Sequence, residues 1–183
     1  MKIFLPTETL SVVKEKYVFV DTCVFLDFAY LNQKGKEAFM DGLNLLTKEN
    51  CVFMVIEPVA IEFFIGSNEE DLKLKKEYLE KMNIQPILSS KVLNIEKREE
   101  LLLEYGNSAR GNLSYVDLCL GTAVKQFSKS LVMTRNYKDF SERIFECTAL
   151  FSICLDKDIK TYGFYQYGRK VEKSQKKDEE IPF

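Results

Sequence analysis

Short apolar blocks alternate with longer amphipathic stretches along the chain. Tyr17–Val20 is aromatic and β-branched and stops at Asp21, which predicts a short buried strand. Residues 22–31 then carry apolar positions at helical spacing, and residues 36–48 place Phe39, Leu43 and Leu46 on one helix face. The run Cys51–Ile56 predicts a second buried strand, and Pro58 suits the first turn of a helix that ends before Gly66. Residues 69–82 predict an amphipathic helix, residues 84–88 a weaker strand carrying Pro86, and residues 90–105 another helix. After a loop at 106–112, Ser114 is placed to cap a helix with Asp117 at its third position. Two further strands are expected at 130–134 and 148–155.

Strands alternating with helices predict an α/β domain, three-layer α/β/α, with a central, mainly parallel five-stranded sheet. The domain is expected at residues 17–156, with an N-terminal lead at 1–16 and a C-terminal extension at 157–183 whose charged end is a mobile tail. The aromatic cluster Tyr162, Phe164, Tyr165 and Tyr167 in that extension reads as an extra strand, an interface or a base-stacking surface.

Composition narrows the chemistry. The chain of 183 residues is 46% hydrophobic, enough for a core, and has a net charge of −2, which argues against coating nucleic acid by bulk charge. Its longest apolar run is strand-sized, so no membrane span is expected. Five cysteines without a C-x-x-C pair point to a reduced, cytoplasmic protein rather than a disulfide framework. There is no histidine, which removes Ser-His-Asp and Cys-His catalysis.

Carboxylates therefore carry the candidate chemistry. Asp21 follows the first predicted strand, Glu62 lies one turn into the helix after the second, Asp117 opens a helix, and Asp139 falls five residues past Thr134. In an open α/β sheet such positions share the crevice beyond the carboxyl ends of the strands. Glu62 and Asp117 stand in apolar stretches, PVAIEFFIG and SYVDLCLGTAV, where a buried carboxylate needs compensation. Converging carboxylates without His or Cys suit Mg²⁺ or Mn²⁺ better than Zn²⁺. Structural alternatives stand beside each: Asp21 as a helix N-cap, Glu62 as a solvent-facing residue, Asp117 as a complement to the helix dipole, and Asp139 as the cap of a short helix over 140–145. Asp27 and Glu57 read as structural or peripheral, Lys73, Lys75, Lys76 and Lys81 as a solvated face, and Arg135 and Lys138 as RNA-phosphate contacts.

Four segments in this order resemble the PIN-domain family, and within it the VapC-type toxins of bacterial toxin–antitoxin pairs. They are Val20–Leu26 with Asp21, Pro58–Glu62 followed by Gly66, Ser114–Ala123 with Asp117, and Thr134–Phe140 with Asp139. The resemblance covers roughly 17–156 and implies a PIN fold and a metal-dependent endoribonuclease acting on single-stranded or structured RNA. It implies Asp21, Glu62, Asp117 and Asp139 as catalytic metal-site acids holding Mg²⁺ or Mn²⁺, with Thr22, Thr134 and Asn136 as supporting polar residues. It also implies an antitoxin protein as partner and a homodimer. Cys23 stands where the family commonly has a small polar residue, and the chain is longer at both ends than a minimal toxin of this type. Competing readings are a non-catalytic PIN-fold module binding RNA or protein and a structure-specific DNA nuclease. A phosphoryl-transfer enzyme would need a second Asp where Cys23 stands.

Overall fold

A computed structural model of the chain describes residues 2–108, 113–155 and 158–168. The chain begins with β1 (Lys2–Phe4) and α1 (Thr7–Val13), and β2 (Tyr17–Val20) delivers Asp21 to the start of α2 (Thr22–Tyr30). Next come α3 (Gln33–Thr47), β3 (Val52–Ile56) and α4 (Glu57–Phe64). Pro58 lies in the first turn of α4, where a missing N–H costs nothing, and Gly66 just beyond it takes φ +74°, as a helix terminus favours.

There follow α5 (Glu69–Lys81), β4 (Gln85–Ile87), α6 (Ser89–Val92), α7 (Ile95–Ser108) and α8 (Tyr115–Gln126). The chain then enters β5 (Ser130–Thr134) and a terminal hairpin of β6 (Phe145–Cys154) and β7 (Ile159–Tyr167). No helix among the described residues is long and apolar enough to cross a membrane.

The molecule is α/β, with a mixed seven-stranded sheet in the order β1-β6-β7-β5-β2-β3-β4. This corrects the expectation of five mainly parallel strands. Four neighbours, β5-β2-β3-β4, are parallel, while β7, β6 and β1 add antiparallel pairings. The reason is the short connection between β6 and β7: a parallel partner needs a crossover of a dozen or more residues, and a hairpin does not. The sheet thus draws on residues outside 17–156 at both ends. The charged tail expected after 168 lies outside the described residues.

Alternation along β7 packs both faces of the sheet. Tyr162 meets Phe39 of α3, whereas Tyr167 meets Phe145, which lies against Gly121 of α8. Tyr162 and Phe164 are fully buried and Tyr165 nearly so, so of the three readings of the aromatic cluster the extra strand holds and base stacking does not. Lys75 also departs from its expected solvated role. It donates to the Phe63 carbonyl at 2.6 Å and to Ser67 Oγ at 2.8 Å, tying α5 to the end of α4.

Candidate functional site

The parallel strands β2, β3 and β5 run side by side, so their carboxyl ends open on one edge of the sheet. Asp21 leaves β2 there, α4 starts directly after β3, and Thr134 closes β5. The Asp21 amide donates to the Met133 carbonyl at 3.1 Å, which locks the β2–α2 corner onto β5. Asp21 occupies the N-cap position of α2, yet its carboxylate makes no capping hydrogen bond. Instead Oδ2 accepts from Thr134 Oγ1 at 2.5 Å and from Cys23 Sγ at 3.0 Å. The helix-cap alternative therefore accounts for its position but not for where its side chain points.

Thr22, the next residue, is buried and donates its hydroxyl to Glu62 Oε2, linking α2 to α4. Glu62 itself is exposed, and this corrects the burial argument. On α4 the buried positions are Val59 and Phe63, four apart, while Ile61 and Ile65 face outward. Ile61 and Ile65 thus lie on the solvent side with Glu62, while Phe63 turns into the core.

Asp117 is buried, at 7% exposure, at the third position of α8. Ser114 serves it twice: Oγ accepts from the Asp117 amide at 3.0 Å and donates to Asp117 Oδ2 at 2.5 Å. The cap was legible in the S-x-x-D spacing, but the bond to the carboxylate was not. Burial pushes the Asp117 carboxyl up to about 6, against the Ser114 bond that favours the charged form. The negative charges of Asp21, Asp139 and Glu62 raise it further, so Asp117 feels all three of the other acids.

Asp139 is half-buried in the turn after β5. The helix expected over 140–145 does not form. The Ser141 carbonyl instead accepts from the amides of Ile144 and Phe145, both at 2.8 Å, in a turn that leads into β6. Asn136 donates its side-chain N–H to Asp139 Oδ2, and its amide donates to Thr134 Oγ1 at 2.9 Å. Tyr105 of α7 donates to the Asp139 carbonyl at 2.5 Å. Burial and the charges of Asp117 and Asp139 push the Tyr105 phenol up, which keeps it protonated as a donor. Thr134 and Asn136 thus form a relay from Asp21 to Asp139.

A fifth acid has a different environment. Asp27, on α2, is as buried as Asp21 but is fully paired. Arg135 donates to it through Nε at 2.8 Å and Nη2 at 3.2 Å, Lys160 Nζ at 2.9 Å and Tyr162 OH at 3.2 Å. The structural reading of Asp27 therefore stands. Arg135, read as a phosphate contact, spends part of its guanidinium on this pair and is 49% exposed; Lys138 is exposed. Among the described residues, no ion pair reaches Asp21, Glu62, Asp117 or Asp139.

Donor chemistry decides which ion such a site fits. The four acids offer oxygen only, a set for Mg²⁺ or Mn²⁺. Burial first, then the Asp21 charge, pushes the Cys23 thiol up to about 12, so without a metal it stands protonated as a donor to Asp21. As the side chains stand, no three His, Cys, Asp or Glu among the described residues form a group able to hold a metal ion. Closure around one therefore calls for rotation of side chains such as the exposed Glu62. Comparison with protein-family models, with curated proteins and with solved structures found no match to this chain.

Proposed function

We propose that this chain is a Mg²⁺- or Mn²⁺-dependent endoribonuclease whose ion is held by Asp21, Glu62, Asp117 and Asp139, on a three-layer α/β/α domain of PIN type. One observation carries the reading: two buried carboxylates, Asp21 and Asp117, face further acids with hydroxyl and thiol partners but no cation among the described residues. Desolvation of a carboxylate costs several kcal/mol and is ordinarily offset by a cation, as Arg135 and Lys160 offset it at Asp27. A divalent ion supplies the missing charge, lowers the pKa of a bound water and neutralises charge on a scissile phosphate.

The chain's own residues then divide the work. Asp21 and Asp117 are held in fixed rotamers by Thr134 and Ser114, which makes them the anchoring ligands. Glu62, exposed and hydrogen-bonded to Thr22, would complete the oxygen set from α4. Asp139 is oriented by Asn136. Cleavage of RNA in place of DNA, and an antitoxin or second subunit, belong to this proposal through the resemblance to VapC-type toxins alone.

The test incubates the purified full chain with mixed structured RNAs and Mn²⁺, comparing wild type with Asp21→Asn and Asp117→Asn. Cleavage by wild type, and its loss in both folded variants, is the expected result. Variants as active as wild type would end the carboxylate mechanism. A wild type inert toward RNA that cuts flap or branched DNA would favour a DNA nuclease. Absence of Mn²⁺ binding would favour a scaffold.

A further inference from the structure

Asp27, Arg135 and Lys160 join α2, the turn after β5 and β7 in one charged cluster beside the acids. Two cations share the one buried carboxylate of Asp27. Among the described residues, Asp158 brings the formal charge of the cluster to zero, but it is 62% exposed and 3.8 Å from Lys160, a separation at which it holds the lysine only weakly. We infer that Arg135 and Lys160 form a phosphate-binding subsite for the RNA strand flanking the carboxylates. This inference rests on the nuclease reading and adds Lys160, a residue outside the segments that resemble the PIN family.

Three observations carry it. First, the guanidinium spends Nε–H and one Nη2–H on Asp27, which leaves three N–H donors on a half-exposed side chain. A guanidinium fixed in this way matches phosphate geometry with little ordering left to lose. Second, Asp27 is buried and held by Tyr162 OH from β7, so the cations are mounted on a rigid anchor rather than on loose surface side chains. Third, Arg135 sits between Thr134 and Asn136, which hold Asp21 and Asp139. Its amide donates to Cys23 Sγ at 3.3 Å, and Cys23 and Asp27 lie about one turn apart on α2, about 6 Å along the axis. The cations therefore flank the acids on the α2 side. With a net charge of −2, the protein needs local cations to hold a polyanion near a carboxylate cluster.

The subsite is tested by the equilibrium binding of a short single-stranded RNA to the full chain in EDTA, across a salt series. Wild type, Arg135→Gln, Lys160→Gln and the double variant are compared, with Lys48→Gln at the exposed C-cap of α3 as a charge control. Each single variant is expected to make the log–log salt slope shallower by about 0.7, with the losses adding in the double variant and none in the control. Melting temperature, followed alongside, separates a merely structural role, which would move stability and leave the slope alone. Lys160→Gln is the safer variant, since Arg135 retains Asp27. Unchanged slopes in chains that still cut RNA overturn the subsite and spare the nuclease. A wild type that neither binds nor cuts RNA overturns both.

Discussion

Asp117→Asn is expected to stabilise the metal-free protein at alkaline pH, and the size of the effect follows from the site. Burial and three neighbouring acids lift the Asp117 carboxyl from 3.8 to about 6. A tenfold change in proton affinity corresponds to about 1.4 kcal/mol, so ionised Asp117 weakens the fold by about 3 kcal/mol at most once the pH exceeds both values. The sign follows from proton linkage. A carboxyl whose folded pKa is raised contributes stability that is fully present below 3.8 and lost as pH rises through about 6. Asparagine carries no charge and still accepts from Ser114, so its contribution does not change with pH. Urea unfolding in EDTA, at about pH 8 and about pH 5, should give the variant an advantage that shrinks by roughly 1–2 kcal/mol on acidification. Taking variant minus wild type at each pH cancels the titrating groups that are not coupled to Asp117, such as the exposed Glu100, which Lys97 and Lys125 hold below its usual range. A variant less stable than wild type by the same margin at both pH values would refute the crowding of Asp117 by other acids.

Asp27→Asn should do the opposite of Asp21→Asn. It leaves Arg135 and Lys160 without their counter-charge and should lower stability by about 2 kcal/mol, discounted for the exposure of Arg135, as read by urea midpoint. Asp21→Asn, which removes a charge that has no cation partner among the described residues, should leave the metal-free midpoint unchanged or raised. Ser114→Ala removes both the α8 cap and a donor to Asp117, so it should cost about 1 kcal/mol and shift the alkaline loss of stability to higher pH. Gly121→Ala puts a methyl 2.9 Å from Leu101 Cδ2 and 3.0 Å from Phe145 Cζ, and overpacking there should lower stability by about 1–3 kcal/mol in a thermal melt.

What the sequence disclosed was local. The end of β2 at Asp21, Pro58 in the first turn of α4, the stop at Gly66 and the Ser114 cap each rest on neighbours within four residues, where spacing and backbone preference act directly. Features set by distant partners were hidden. Asp27 looked peripheral because its partners Arg135 and Lys160 lie 108 and 133 positions away. Glu62 looked buried because it stands in the apolar stretch PVAIEFFIG, although the helix turns Ile61 and Ile65 outward beside it. The run YGFYQY is aromatic on alternate and adjacent positions alike, since β7 is covered on both faces. A strand buried on two sides loses the alternation by which a strand is recognised. β1, three residues long, left too short a signal to read as more than a lead.

The place of β7 between β5 and β6 bears on how the protein is made. Thr134, which fixes Asp21, belongs to a strand whose outer edge is closed only by Gly163–Tyr165. During synthesis the ribosome releases β2, β3 and β5 well before that edge partner. A nascent chain ending near residue 156 would display the outer edge of β5 unpaired, a template for aggregation rather than a finished sheet. The edge of β5 beside Thr134 is therefore closed only after Gly163–Tyr165 has been made, later than every residue of the acidic crevice.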